Sequence, residues 1–245
     1  LENMNFDINV IEIELSSLCN AKCSGCMRTM LDNRGKYYHK GNLLLDDIMD
    51  WFEPLDISNT KIKMCGVLGD PMINPELYEI IFYFLYEKNV RDLEMSTNGG
   101  TRTAQFWKDL GLLSKQSDKR FYIHWAVDGV TRNDYRENVI LDKVWENINA
   151  YHSTGGHSIW QYIIFDYNES EVEMARTKAK ENGMKFATRV SWRNTSEKNK
   201  VTSKAANKID SDSYEVVEAR ARTKQYEEAK IMCRHKIKGE LYIGA

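Results

Sequence analysis

Strand-like and helix-like segments alternate along the chain. Residues 8–15 (INVIEIEL) read as a strand, and a loop containing cysteine and glycine follows. Over residues 47–55 the apolar positions Ile48, Trp51, Phe52 and Leu55 fall at i, i+3, i+4 and i+7, the period of a helix with one buried face. A short strand is expected at 61–65. Asn74 is a plausible helix cap with Pro75 at the first helical position, and residues 75–88 place Leu77, Ile80, Ile81, Phe84 and Leu85 on one face. Further strands are expected at 92–96, 121–127, 160–165 and 185–190. Between them lie helix-compatible stretches near 103–114, 140–152 and 170–181, the last stopped by Asn182-Gly183.

Six strands, each followed by a helix-sized segment, imply parallel βαβ units with right-handed crossovers, hence an α/β fold. A doubly wound sheet and a full or partial (β/α) barrel both satisfy the pattern. Both place their ligand sites at the C-terminal ends of the strands.

Composition narrows the class. The chain has 245 residues, 34 basic against 36 acidic side chains, and only three prolines, as expected of a globular protein without a linker-joined second domain. It carries no apolar run long enough to span a bilayer and no signal-like segment at residues 1–10, so a cytoplasmic protein with no membrane partner is expected. Residues 189–245 carry 13 basic and 8 acidic side chains, whereas the preceding part is net acidic by seven. A polar run at 194–212 and a helix at 213–230 are expected there. A solvated basic surface accounts for that excess, and nucleic acid is not an expected partner.

Five cysteines are too few for a disulfide framework, yet three of them, Cys19, Cys23 and Cys26, lie within eight residues directly after the first strand. A structural zinc site wants four ligands, usually as two pairs, and neither His39 nor Cys65 supplies finger or ribbon spacing. Thiolates spaced Cys-x3-Cys-x2-Cys can instead hold three irons of an iron–sulfur cube and leave the fourth open. A zinc knuckle with a distant fourth ligand, or three unrelated thiols, remain the alternatives on spacing alone.

In this loop the sequence resembles the radical S-adenosylmethionine (radical SAM) enzymes, and further matches follow in the family's order. Cys65-Gly66-Val67-Leu68-Gly69-Asp70-Pro71 is similar to the family's Gly-Gly-Glu-Pro segment, which contacts the methionine amino group of SAM. Ser96-Thr97-Asn98-Gly99 is similar to its Thr-Asn-Gly turn, and Ala126-Val127-Asp128-Gly129 to its Ser-x-Asp-Gly signature, with Tyr135-Arg136 after it. Asp166-Tyr167-Asn168-Glu169 resembles its Asn-Glu loop. Each falls where an expected strand gives way to its loop.

The resemblance implies a partial (β/α)6 barrel over residues 1–192 and a short basic extension over 193–245. It implies a 4Fe–4S cluster on Cys19, Cys23 and Cys26, and SAM contacts from Gly69, Asp70, Ser96, Thr97, Asn98, Asp128, Arg136 and Asn168. It also implies an enzyme in which one electron, from a flavodoxin- or ferredoxin-type donor, cleaves SAM to methionine and a 5′-deoxyadenosyl radical that abstracts a hydrogen atom from substrate. Gly25 stands where related enzymes carry an aromatic residue near the adenine, which passes that contact to Met27 or the loop after the fifth strand. Ala126 replaces a ribose-contacting Ser or Thr, and Asp70 is one methylene shorter than Glu. The segment around Cys233 and Gly239-Glu240-Leu241-Tyr242-Ile243-Gly244 resembles the opening of the SPASM or twitch extension, which implies a peptide or protein substrate. A small metabolite or nucleotide substrate, and a non-catalytic zinc or iron–sulfur module, are the other two readings. Cys65 is expected to be a core thiol, and Trp125, Trp160 and Trp192 to be core or to line the barrel mouth.

Overall fold

A computed structural model describes residues 8–190 and 240–243. Seven strands form one parallel sheet among the described residues: β1 Val10–Ile13, β2 Lys61–Met64, β3 Asp92–Thr97, β4 Phe121–Ala126, β5 Ser158–Ile164, β6 Lys185–Val190 and β7 Glu240–Ile243. Their order is β6-β5-β4-β3-β2-β1-β7. The first six therefore pair in sequence order, each crossover placing the next strand beside the last, as the partial barrel requires. β7 extends the sheet from β1, with Val10 opposite Glu240 and Ile13 opposite Ile243. Of the expected extension, the described part thus joins the barrel's own sheet. The expected helix at 213–230, Cys233 and Trp192 lie outside the described residues.

The crossovers are α1 Met27–Asn33, α2 Leu45–Phe52, α3 Leu77–Phe82, α4 Ala104–Gln116, α5 Leu141–Ser153 and α6 Val172–Glu181. Each strand sorts its side chains by alternation. Ile11, Ile13, Ile62, Met64, Leu93, Met95, Phe121, Ile123, Trp125, Trp160, Tyr162 and Ile164 are buried beneath the helices and join Ile48, Phe52, Ile80, Ile81, Trp107, Leu110, Ile148 and Ala175 in one core. Burying each large side chain contributes about 1.5–3 kcal/mol. Trp125 and Trp160 belong to this core and do not line the mouth, with Trp107 and Trp145 packed on them at ring separations of 4.9 and 5.0 Å.

Two expectations are corrected. Asn74 does accept the Glu76 N–H through Oδ1 at 2.9 Å, as expected of a cap, but residues 75–76 form a turn and the helix does not begin at Pro75. Asp70 caps a 3₁₀ turn at Pro71–Ile73, and α3 begins only at Leu77 and runs into a π turn at Tyr83–Glu87. The other end of the Asn74 amide has a second role: its Nδ2 donates to the carbonyls of Leu15 and Leu43 at 2.9 and 2.8 Å, tying the loop to the chain after β1. Nor is Cys65 a core thiol. It is half-buried on the opposite, concave side of the sheet, where its Sγ donates to Glu12 Oε1 at 3.1 Å.

Candidate functional site

All the motif loops leave the C-terminal edge of the sheet, and buried polar side chains tie them together. The cysteine loop follows β1. A turn from Cys26 N–H to the Cys23 carbonyl, 3.0 Å, folds it back, and Cys26 then caps α1. Arg28, the second residue of α1, donates to the Ala21 carbonyl and braces the loop. Lys22 N–H bonds the Glu137 carbonyl at 2.9 Å, joining the loop to the segment after β4. Cys23 packs with Ala21, Tyr135 and Phe165, and Cys19 and Cys26 lie against this cluster.

The loop after β2 wraps a carboxylate. Glu14, just past β1, accepts N–H bonds from Leu68 and Gly69 at 2.6 and 3.0 Å through one oxygen. Gly69 lies so close to the chain after β1 that a Cβ would collide with the Ser16 carbonyl, and only glycine fits. The next residue, Asp70, is 5% exposed and accepts four hydrogen bonds, from Met72 N, Thr97 Oγ1, Asn98 N and Asn98 Nδ2. Burial raises its carboxyl, opposed by these donors. It braces the end of β3 against the loop after β2.

Asn98 links three loops. Its Nδ2 reaches Asp70 at 2.8 Å, Asn20 Oδ1 at 2.9 Å and Cys19 Sγ at 3.7 Å, while its Oδ1 accepts from Gly100 N. On the other side, Asp128 is fully buried. Its Oδ2 accepts from Arg136 Nε at 2.7 Å and its Oδ1 from Ile163 N at 3.0 Å. Arg136 Nη1 lies 4.0 Å from Cys23 Sγ. Asn168, also fully buried, donates to the Asp128 and Ile163 carbonyls and accepts from Phe165 N, so both ends of its amide are used within the chain. Burial alone would lower Arg136, but the facing Asp128 carboxylate outweighs it and raises it, so the guanidinium stays charged.

Of the residues singled out from sequence, Cys19, Cys23, Cys26, Asp70, Thr97, Asn98, Asp128, Arg136 and Asn168 come together in this network, with Gly69 as the close-approach point. Ser96 lies on the concave face, opposite His124 in the register of β3 and β4, and stands apart from those bonds. Glu14, Asn20, Arg28 and Asn133, whose Oδ1 accepts from Asp128 N at 3.1 Å, were not anticipated. The partners of Glu14 and Asn20 are distant in sequence, whereas Arg28 and Asn133 bond within seven residues but belong to no motif that the sequence reading singled out.

The donor set suits thiolate ligands of a cluster. Ala21 N and Asn98 Nδ2 point at Cys19 Sγ, at 3.4 and 3.7 Å, and Arg136 points at Cys23. Such N–H donors offset the charge on a ligating sulfur. Burial, with Asp70 next, pushes the free Cys19 thiol up to about 12, and burial also raises Cys23, so metal binding must displace their protons. Among the described residues no three His, Cys, Asp or Glu side chains converge on one point as a single ion requires.

The concave face beside this edge is polar, which the sequence reading missed although the alternation of residues 61–64 and 121–126 carries it. Glu94 pairs with Lys61 at 2.5 Å and Lys63 at 3.5 Å, and Tyr122 hydrogen-bonds both Lys61 and Glu94. His124 Nε2 lies 3.7 Å from Glu94, and Gln161 Nε2 contacts His124 Nδ1.

A family model described as the Radical SAM superfamily matches residues 13–179. Two GTP 3′,8-cyclases are similar in sequence. That of Alkaliphilus oremlandii (strain OhILAs) is 28% identical over 174 residues, covering 68% of this chain and 51% of the relative. That of Thermodesulfovibrio yellowstonii is 25% identical over 181 residues, covering 70% and 52%. The chain thus spans about half the length of the curated relatives it matches. Among solved structures, Streptococcus suis SuiB bound to S-adenosylmethionine superposes with a TM-score of 0.59 at 13% identity, covering 96% of this chain and 50% of that one. Native anSMEcpe with bound AdoMet superposes at 0.57 and 16% identity, covering 74% and 52%. At these identities the two structures speak for the fold alone. Among the described residues no helix is long and apolar enough to cross a membrane.

Proposed function

Because the chain belongs to the radical SAM superfamily, whose enzymes work with a 4Fe–4S cluster and SAM, we propose that Cys19, Cys23 and Cys26 hold such a cluster here. On this reading the loops after β2 to β5 bind SAM beside it. The observation that carries the assignment is the pair of N–H donors near the sulfurs, Asn98 by Cys19 and Arg136 by Cys23, each also bonded to a buried carboxylate, Asp70 and Asp128. When bound, the cluster supplies one electron to SAM, releasing methionine and a 5′-deoxyadenosyl radical able to take a hydrogen atom from substrate.

The chain's own residues do the positioning. Gly69 and the backbone around it approach the methionine end, with Asp70 as the nearby anion for its ammonium. Ser96 faces the concave side, where its hydroxyl can bond the ribose in place of the Ser or Thr that Ala126 replaces. Thr97, Asp128 and Asn168 are committed to holding strand ends in place, so they orient the SAM site through their neighbours. Phe165, Tyr135 and Tyr167, packed around Cys23, keep water from the loop.

The substrate lies against the polar face formed by Lys63, Glu94, Tyr122, His124 and Gln161. Paired charges and amides suit a small polar molecule, the class to which the GTP of the two cyclase relatives belongs. A peptide or protein substrate is the second reading. It is favoured by the SPASM-like residues around Cys233; SuiB, similar to this chain in fold, has also been solved bound to its precursor peptide SuiA.

Anaerobic reconstitution followed by iron and sulfide analysis tests the ligand assignment. The wild type is expected to reach the stoichiometry of one 4Fe–4S cluster per chain, and the variant with alanine at all three cysteines to retain almost none. One tightly held zinc and no sulfide would overturn it.

A further inference from the structure

We propose that the loop after α1, residues 34–40, is the docking surface for an acidic one-electron carrier protein; the proposal rests on the cluster assignment above. The loop reads Arg34-Gly35-Lys36-Tyr37-Tyr38-His39-Lys40. It is exposed, with Tyr37 90% accessible at its centre, yet it is firmly presented. Lys36 N–H closes on the Leu31 carbonyl at 2.9 Å around Gly35 at φ +59°, and Gly41 and Ser17 exchange hydrogen bonds where the loop returns to the barrel.

The charges within it are sorted. Asp32 gathers Lys40 Nζ and Tyr38 Oη at 3.0 Å and Arg28 Nη1 at 3.4 Å, which uses up the local carboxylate. Arg34 and Lys36 are left with no ion pair among the described residues. Two uncompensated cations around an exposed tyrosine, with Met27 also exposed in α1, make a cationic patch on a region that is otherwise net acidic. The next helix, α2, shows Asp46, Asp47 and Asp50 to solvent. An approaching acidic protein is drawn to the loop and turned away from α2, which fixes its orientation as well as its rate of encounter.

The position suits electron delivery. α1 follows its cap Cys26 and is seven residues long, so the loop begins about 10 Å along the helix from a proposed cluster ligand at 1.5 Å per residue. In the step itself the carrier is oxidised by one electron and the cluster is reduced by one. No bond forms or breaks between the two proteins.

The experiment compares the reconstituted wild type with the double variant Arg34→Glu, Lys36→Glu. Formation of 5′-deoxyadenosine is driven either by dithionite or by a reduced flavodoxin, and direct association with oxidised flavodoxin is titrated in parallel. Charge reversal is expected to lower the flavodoxin-driven rate and the association constant about tenfold at low ionic strength. The gap should close as salt rises, and the dithionite-driven rate should stay at the wild-type value. Equal flavodoxin rates in the two proteins, an equal loss with dithionite, or a wild type that dithionite drives and flavodoxin does not would each overturn the docking surface. A wild type that makes no 5′-deoxyadenosine with dithionite would instead remove the cluster reading beneath it.

Discussion

Arg136 and Asp128 form a buried ion pair, Nε to Oδ2 at 2.7 Å, in which the carboxylate has no exposure. The pair closes the segment after β4 against β5 and turns the guanidinium toward Cys23. Breaking one side of such a pair leaves an uncompensated buried charge, at a cost of about 3–5 kcal/mol. Asp128→Ala is therefore expected to lower unfolding free energy in urea by that amount. Adding Arg136→Met should recover part of the loss, and strict additivity of the two single effects would contradict the coupling.

Asn98→Ala removes the donor that reaches Asp70, Asn20 and Cys19 together. Leaving buried acceptors unpaired costs about 1–3 kcal/mol. The same variant should also bind iron less tightly, measured as faster loss to a chelator. A change in stability without any change in iron loss would argue that Asn98 does not act on the cysteine loop.

Glycines at two positions separate close packing from backbone strain. Gly35 has φ +59° with nothing within 4 Å of a new Cβ, so Gly35→Ala should cost only the left-handed penalty of about 1–2 kcal/mol. At Gly69 the new methyl would meet the Ser16 backbone carbonyl, which cannot swing away. Thermal melts should show Gly69→Ala as the more damaging of the two by a clear margin.

Burial lowers His124 and His152 to about 4, and lowers His157 in the same direction. Above the unfolded value near 6.5 neither state holds the proton, so stability is flat there. As pH falls from 6.5 toward 4 the unfolded chain takes up protons that the folded chain refuses, and stability falls by at most about 1.4 kcal/mol per pH unit for each histidine. Urea midpoints between pH 7 and 5 should show this decline, and His152→Gln should flatten it. An unchanged slope in that variant would contradict the assignment.

The strand-and-helix rhythm carries the order and direction of the sheet, down to β6, which falls on the expected residues 185–190. Motif positions are readable because loops at strand ends need glycine, aspartate and asparagine for reasons local to the chain. What tertiary contacts decide is not readable. Asn74 reads as a cap, and its Oδ1 does accept from Glu76 N, but nothing local shows that its Nδ2 also ties down two carbonyls, one just past β1 and one from the chain before α2. Glu14 looks like one more strand residue until Leu68 and Gly69 turn their N–H groups onto it. Cys65 reads as a core thiol because Met64 and Gly66 flank it, but alternation puts it on the face that Glu12 shares. β7 escapes inference, since its pairing with β1 joins residues at opposite ends of the chain.

The central claim is that three thiols after β1 hold a cluster that opens SAM. Its most direct test is chromatography of an anaerobic mixture of reconstituted protein, SAM and dithionite. The account predicts 5′-deoxyadenosine and methionine in equal amounts, both absent when Cys19, Cys23 and Cys26 are alanine. SAM left intact by a fully iron-loaded wild type, or cleaved equally by the alanine variant, would contradict it.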